Sequence, residues 1–238
     1  MPVIKRPKST KAIFKALRTA KNLKDATPVG HVIPLSAGTC AWLDAFYSTY
    51  ALAVHTMETA LAEQAAITQT VKEKRQKALW LVSHFVISVQ NAIIRKAFDK
   101  SVRVFYGLPV TSGRVPLLKS ESSIIYWGEQ IADGEAARVL AGGAPVTFPS
   151  ITEVSAAVEA FKNANLQQAN AKDAFDTAQE AVAALRAEAN KLVLKIWNEL
   201  EAAFDSGDKP SKRRKCREWG VVYVPNRGEA PEAEVAEV

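Results

Sequence analysis

The stretch that decides the fold extends from Pro149 to Gly207 and reads PSITEVSAAVEAFKNANLQQANAKDAFDTAQEAVAALRAEANKLVLKIWNELEAAFDSG. It contains no glycine or proline between its two ends, so nothing in it interrupts a helix. Apolar residues recur every seven positions in two rows that lie three residues apart. The rows are Val154, Phe161, Phe175, Val182 and Ile196, and Ala157, Ala164, Ala171, Ala178, Leu185 and Leu192. This pattern predicts one long helix with a coiled-coil seam.

The segment from Pro34 to Gly107 has the same character, and Gly38 is the only breaker inside it. Its second half is apolar around most of a helix circumference, so we expect several helices or a partner to enclose it. The candidate interface residues are Leu79, Leu81, Phe85, Val89, Ile93 and, further along the chain, Trp127. The alternative is a hairpin in each long segment, turning near residues 70–77 and 183–191. Those turns would use good helix formers, which favours continuous helices.

The two long segments resemble each other. A shift of 115 residues places Pro34 on Pro149, and a gap of two then aligns residues 105–108 (FYGL) with residues 218–221 (EWGV). Near the second match, Asp208 and Gly220 are typical of the start and the end of a short helix. We therefore predict a tandem duplication.

The predicted fold is all-α, with two long coiled-coil-like helices, each followed by a short helix, in an antiparallel helical bundle. The predicted segments are a basic N-terminal arm (1–33), a repeat unit (34–110), a connector with a short helix (111–148), a second repeat unit (149–224) and an acidic mobile tail (225–238). In the connector, Ile124, Trp127 and Ile131 follow helical spacing, Glu135 pairs with Arg138 in this prediction, and Gly142 ends the helix.

A long Ala-rich helix followed by a short helix that closes on Gly107-Leu108-Pro109-Val110 is similar to helical domains of uncharacterised bacterial proteins. The resemblance covers one repeat unit and includes no catalytic motif. It implies a helical fold and no activity.

Basic residues are concentrated in two segments, and the net charge is +6. Residues 1–24 hold eight basic side chains and residues 209–217 hold six, and neither segment contains an acidic residue. The rest of the chain holds the other 17 basic residues and all 25 acidic ones, so its net charge is about −8. The candidate docking residues are Lys5, Arg6, Lys8, Lys11, Lys15, Arg18, Lys21 and Lys24, and then Lys212, Arg213, Arg214, Lys215 and Arg217. Such patches bind phosphates, an anionic surface or the acidic body of a second copy.

The N-terminal segment allows three interpretations. It is typical of a solvated or docking arm, of an organelle transit peptide and of a membrane-surface helix, because it is basic, free of acids and amphipathic from Lys11 to Leu23. The longest apolar run, residues 78–94, contains His84, Gln90 and Asn91, which argues against an integral membrane span. We expect a cytoplasmic protein.

The sequence contains no recognisable catalytic or metal-binding motif. Cys40 and Cys216 stand too far apart in sequence for a CxxC site, and the three histidines, His31, His55 and His84, form no metal-ligand spacing. We therefore expect no catalytic residue, metal or cofactor. The leading hypothesis is a non-enzymatic, self-associating structural or scaffold protein, and the alternative is a nucleic-acid-binding protein that uses the two basic segments.

Overall fold

The structure, a computed structural model, describes residues 3–205 and 208–225. Helices account for 75% of it, and there is almost no strand, which confirms the all-α prediction. The helices are α1 (Thr10–Ala26), α2 (Ala37–Ile94), the 3₁₀ helix η1 (Lys100–Tyr106), α3 (Glu121–Leu140), α4 (Ile151–Ala203) and α5 (Lys209–Glu218). Two short strands, β1 (Val3–Ile4) and β2 (Tyr223–Val224), pair in the antiparallel sense.

The two long helices are continuous, so the hairpin alternative is wrong. Helix α2 passes without interruption through residues 70–77, and α4 does so through residues 183–191. All the apolar positions of the two heptad rows in α4 are buried or half-buried. The seven-residue spacing therefore identified the inward face of this helix correctly.

The chain divides into two compact units that do not follow the predicted segments. Unit 1 comprises Met1–Ala60 and Phe175–Val238, and unit 2 comprises Leu61–Ala174. Each long helix thus contributes one part of its length to each unit. The predicted acidic tail lies outside the described residues, apart from Pro225.

Unit 1 has an apolar core into which α1 packs. Ser9 caps this helix by accepting a hydrogen bond from the Ala12 amide, and Ile13, Leu17 and Ala20 are fully buried. The segment predicted as a basic arm therefore contains a core helix with a charged outer face. At the start of α2, the Glu199 carboxylate accepts hydrogen bonds from the Thr39 hydroxyl (2.7 Å) and the Ser36 amide (2.9 Å).

Helix α5 begins and ends as predicted. Helix α5 begins after Asp208, whose carboxylate accepts from the Ser211 amide at 3.1 Å. The helix stops before Gly220, which has a φ of +89°, a conformation that favours glycine. The segment after it forms β2.

Unit 2 has its own core. Phe85 from α2, Ile124 and Ile131 from α3, and Phe161 from α4 are fully buried there, together with Tyr106. Helix α3 begins after Ser120, which forms a capping box with Ser123, and it ends just before Gly142. The predicted helix in the connector is therefore present.

Candidate functional site

A cavity of about 740 Å³ opens in unit 1, and both basic segments contribute to its wall. It is formed by the chain before α1, the first turns of α1, one side chain of α4 and the chain that follows α5. Its lining residues are Lys5, Arg6, Pro7, Lys8, Ser9, Ala12, Lys15, Ala16, Thr19, Trp197, Arg217, Gly220, Val221 and Val222. We call this the basic cavity.

The charge of the basic cavity has one sign. Lys5, Arg6, Lys8, Lys15 and Arg217 supply five cations, and the described lining includes no carboxylate. The amino end of α1, whose unpaired amides carry partial positive charge, also begins in this wall. Small and apolar groups form the remaining wall. The described lining thus combines five cationic side chains with small and apolar groups.

Strand pairing explains why the two basic segments meet. Val3 lies opposite Val224, Ile4 lies opposite Tyr223, and the Lys5 amide donates to the Val222 carbonyl at 2.8 Å. These bonds hold the chain before α1 against the chain after α5. The Arg186 side chain also donates a hydrogen bond to the carbonyl of Lys8. Segments at opposite ends of the described chain are thereby fixed in one wall.

Three of the predicted docking lysines form ion pairs with carboxylates of their own chain. Lys21 and Lys24 contact the carboxylates of Asp25 and Asp44, and the hydrogen bond to Asp44 holds the pKa of Lys24 above its usual value. Lys212 contacts Glu201 at 3.0 Å and Asp205 at 2.7 Å. These side chains lie outside the described cavity lining.

The other predicted basic residues lie near the cavity but outside its lining. Lys11 and Arg18 are exposed on α1, and the Arg18 guanidinium lies 5.8 Å from the centre of the Phe14 ring. On α5, Arg213 is half-buried, Arg214 is exposed, and the Lys215 ammonium lies 5.7 Å from the Phe204 ring centre. Trp219 is buried, so its ring offers no stacking surface.

The predicted interface residues mostly face inward. Phe85, Val89 and Ile93 are buried in the core of unit 2, and they are covered by residues of their own chain. Leu79, Leu81 and Trp127 are half-buried against the same core.

A different apolar surface of α2 is exposed. Trp80, Ile87 and Ile94 are 56%, 42% and 68% exposed, and they recur every seven residues. Phe148, 83% exposed, lines a shallow depression together with Ile87. We call Trp80, Ile87, Ile94 and Phe148 the unit 2 stripe. Sequence reasoning selected Leu79, Leu81, Phe85, Val89 and Ile93 of the same helix instead, because apolar residues cover most of the circumference in the second half of α2.

Unit 2 also contains a buried polar network. Arg138 and Glu135 pair as predicted, with Nη2 and Oε1 2.8 Å apart. The Tyr106 hydroxyl donates to Glu135 at 2.5 Å and accepts from Nε of Arg138 at 2.7 Å, and the Val146 amide donates to Glu135 at 2.7 Å. Burial by itself raises the pKa of the Glu135 carboxyl, but the hydrogen bonds from Arg138, Tyr106 and Val146 outweigh it and hold the pKa below its usual value.

Both carboxylate oxygens of Glu135 and the Tyr106 hydroxyl have hydrogen-bond partners in this network. Arg138 also donates to the Ala144 carbonyl at 2.7 Å and lies 4.5 Å from the centre of the Phe98 ring. Burial, followed by the hydrogen bond to Glu135, raises the pKa of Tyr106. A charged pair held by this many partners fixes α3 against η1 and the chain after α3.

The residues considered for metal and thiol chemistry are dispersed. His31, His55 and His84 are exposed, and no group of three His, Cys, Asp or Glu residues suited to a metal ion occurs in residues 3–205 and 208–225. Cys40 and Cys216 are free thiols, and burial raises the pKa of both.

Among the described helices, α2 alone is long and apolar enough to cross a membrane. Core helices meet the same criterion, and the described part of the chain is not a multi-span integral membrane protein. Comparison with known proteins gave no matching family model, no matching curated protein and no matching solved structure.

Proposed function

We propose that this protein is a non-enzymatic helical protein that binds single-stranded nucleic acid in the basic cavity of unit 1. The observation that carries the proposal is the meeting of the two basic segments. Lys5, Arg6, Lys8 and Lys15 come from the N-terminal segment, Arg217 comes from the end of α5, and all five line the same cavity. A polyanion that enters it releases counterions from its phosphates, which is the main source of affinity in such sites.

The shape of the cavity favours a single strand over a duplex. Its volume lies within the range of about 300–1,000 Å³ that is usual for small-molecule sites, so it accepts one or two nucleotides but not the full width of a double helix. Because Trp197 is almost fully buried and forms only part of the wall, charge rather than base stacking supplies most of the affinity. Sequence preference should therefore be weak.

The experiment is a fluorescence-anisotropy titration of a labelled 20-nucleotide single strand between 50 and 200 mM salt. We expect the variant K8Q/K15Q, which removes two cations from the lining, to bind roughly tenfold more weakly at low salt and to lower the salt slope by about 1.4. The matched control is K11Q/R18Q, which removes two exposed cations of α1 that lie outside the lining. This control should bind within about threefold of the wild type.

Two results would overturn the proposal. One is wild-type binding that does not depend on salt, or no binding at all. The other is an equal loss in K8Q/K15Q and K11Q/R18Q, because the cavity would then contribute nothing beyond the general charge of α1.

Self-association is the second candidate function, and the unit 2 stripe favours it. Its four large apolar side chains are between 42% and 83% exposed, which is typical of a surface that another protein covers. I87E should reduce the molar mass measured by light scattering after size exclusion, whereas L166E, on an exposed leucine of α4, should not. A wild-type monomer at high concentration would remove this candidate.

We also propose that the two long helices form an antiparallel bundle and that the chain contains a tandem duplication. Contacts within the units support the antiparallel arrangement: Trp42, early in α2, donates to Glu188, late in α4, at 3.0 Å. The duplication is supported by a matching order of elements, in which a serine-capped short helix (α1, α3) precedes a long helix (α2, α4) and a terminal helix that closes on a glycine with positive φ. In this scheme the connector helix α3 is the counterpart of α1, and the repeat begins before Pro34.

A further inference from the structure

We propose that the basic cavity also binds a dissolved single-chain anionic amphiphile, a molecule with one hydrocarbon chain and an acidic head group. The inference goes beyond the proposed function, because this ligand needs no nucleic acid. It rests on how charge and burial are distributed over the lining residues, which form an apolar interior and a cationic edge.

The interior of the cavity is apolar. Trp197, Val221 and Ala16 line it although they are only 1%, 2% and 6% exposed, and Ala12 lines it as a half-buried residue. We call these four residues the cavity floor. On α1, Ala12, Ala16 and Thr19 lie four and three residues apart, so they share one face of the helix, and their small side chains leave space that a larger residue would fill. The hydrophobic effect favours a hydrocarbon chain in this space.

The edge of the cavity is cationic. Lys5, Arg6, Lys8 and Lys15 line the cavity and are exposed, and the described lining includes no carboxylate. We call these four residues the cavity rim. Exposed cations of one sign attract an acidic head group and repel a cationic one. The rim therefore selects the head group, and the floor contacts the chain.

The size of the cavity fits a dissolved molecule. Its volume of about 740 Å³ lies within the range of about 300–1,000 Å³ that is usual for small-molecule sites. The floor residues come from α1, from α4 and from the chain after α5, so a hydrocarbon chain would lie between these elements. A bilayer surface would reach only the exposed rim. We therefore expect one molecule of amphiphile per protein chain.

The first experiment is an isothermal titration of the full-length wild type with dodecanoate, below the concentration at which it forms micelles. The matched ligands are dodecyltrimethylammonium, which carries the same chain on a cation, and acetate, which carries the carboxylate without the chain. We expect dodecanoate to bind once per protein chain and at least about tenfold more tightly than either matched ligand. Dodecyl phosphate, titrated in parallel, shows whether the rim prefers a phosphate or a carboxylate head group.

A series of chain lengths tests the floor without any substitution. From octanoate to dodecanoate the head group stays the same while the buried hydrocarbon grows. Each added methylene should tighten binding by up to about fourfold, which is the fold-change expected for one buried methylene.

The second experiment repeats the dodecanoate titration with variants of the floor and of the rim. A12L fills part of the floor without changing the charge, so it should weaken binding about tenfold and reduce the gain from octanoate to dodecanoate. The matched control is A41L, the same change at an exposed alanine of α2 outside the lining, and it should bind within about twofold of the wild type. K8Q/K15Q, which removes two rim cations, should weaken binding about fivefold.

Several results would overturn the inference. Equal binding of dodecanoate and dodecyltrimethylammonium would mean that the rim selects nothing, and an affinity independent of chain length would mean that the floor contacts nothing. Equal losses in A12L and A41L would also refute it. A loss in I87E but not in A12L would place the chain on the unit 2 stripe. Sedimentation with phosphatidylglycerol vesicles, without binding of dissolved dodecanoate, would show that the rim meets a membrane surface instead.

These titrations contain no nucleic acid, so they separate the two proposals. Dodecanoate binding by a protein that fails to bind a single strand would refute the proposed function alone, and the reverse result would refute this inference alone. If both ligands bind, dodecanoate should displace the labelled strand in the anisotropy titration, because both need Lys8 and Lys15. Simultaneous binding of the two ligands would show that the amphiphile occupies another site, and it would overturn the inference.

Discussion

In unit 1 the cations Lys8, Lys15 and Arg217 surround an open cavity, whereas in unit 2 the cation Arg138 is buried against Glu135. Both units contain a serine-capped short helix and a helix that closes on a glycine with positive φ. The difference lies in where the charges stand. In unit 2 a buried guanidinium pairs with a carboxylate of the same chain, whereas the cavity cations of unit 1 are exposed side chains.

The contrast extends to two buried tyrosines. Tyr106 in unit 2 has both a donor and an acceptor contact through its hydroxyl. The hydroxyl of Tyr50 in unit 1 is equally buried, but it has no hydrogen-bond partner among the described residues. Burial alone therefore does not show which hydroxyl stabilises its unit. Substituting each tyrosine distinguishes Tyr106 from Tyr50.

The largest effect should come from Glu135→Gln. It leaves Arg138 buried without its anion, and breaking a buried pair in this way costs about 3 kcal/mol. Urea unfolding at pH 7 measures the loss. The control is Glu129→Gln on the same helix, whose exposed pair with Lys162 should contribute less than about 1 kcal/mol. Similar losses in the two variants would contradict the structural role given to the network.

The pKa of Glu135 determines how the stability lost in Glu135→Gln changes with pH. The folded pKa of Glu135 lies below its unfolded value of about 4.3, so the stabilisation is complete above that value and disappears as pH falls through the folded pKa. The difference in unfolding free energy between the wild type and Glu135→Gln should therefore be constant at neutral pH and shrink below about pH 4. A difference that grows on acidification would refute the assignment.

The next largest change in stability should distinguish Tyr106 from Tyr50. Tyr106→Phe removes a hydroxyl that is hydrogen-bonded to two charged groups, and it should cost about 2 kcal/mol. Tyr50→Phe removes a hydroxyl that lacks a partner in the described chain, so it should leave the stability within about 0.5 kcal/mol or raise it. Thermal and urea unfolding of both variants measure these changes in stability. A large loss at Tyr50 would mean that its hydroxyl has a partner, such as buried water.

Much of this fold follows from local sequence. The uninterrupted heptad rows predicted α4 and its buried face, and Asp208 and Gly220 predicted where α5 begins and where it stops. These features depend on residues within one or two helical turns of each other. For the same reason, the spacing of Ile124, Trp127 and Ile131 sufficed to predict α3.

The cavity was not predictable in this way. It depends on the pairing of Val3 and Ile4 with Tyr223 and Val224, and strands of two residues carry no periodic signal. The outward face of α2 also escaped prediction, because apolar residues surround its second half and only tertiary packing decides between Phe85 and Ile87. Sequence reasoning found both basic segments but not that five of their side chains share one wall.

The smallest effect should come from the cavity cations themselves. K8Q/K15Q removes two exposed charges that stand among like charges, so its stability should stay within about 0.5 kcal/mol of the wild type. At low salt the change should be slightly stabilising, because repulsion among the lining cations is relieved, and 0.5 M salt should abolish that gain. K21Q/K24Q is the contrasting variant, since it removes lysines that contact Asp25 and Asp44 and should cost up to about 1 kcal/mol. Urea unfolding at both salt concentrations tests the pair. If K8Q/K15Q were the more damaging variant, the cavity cations would hold unit 1 together as the charges of unit 2 do, and they would no longer be available for an anionic partner.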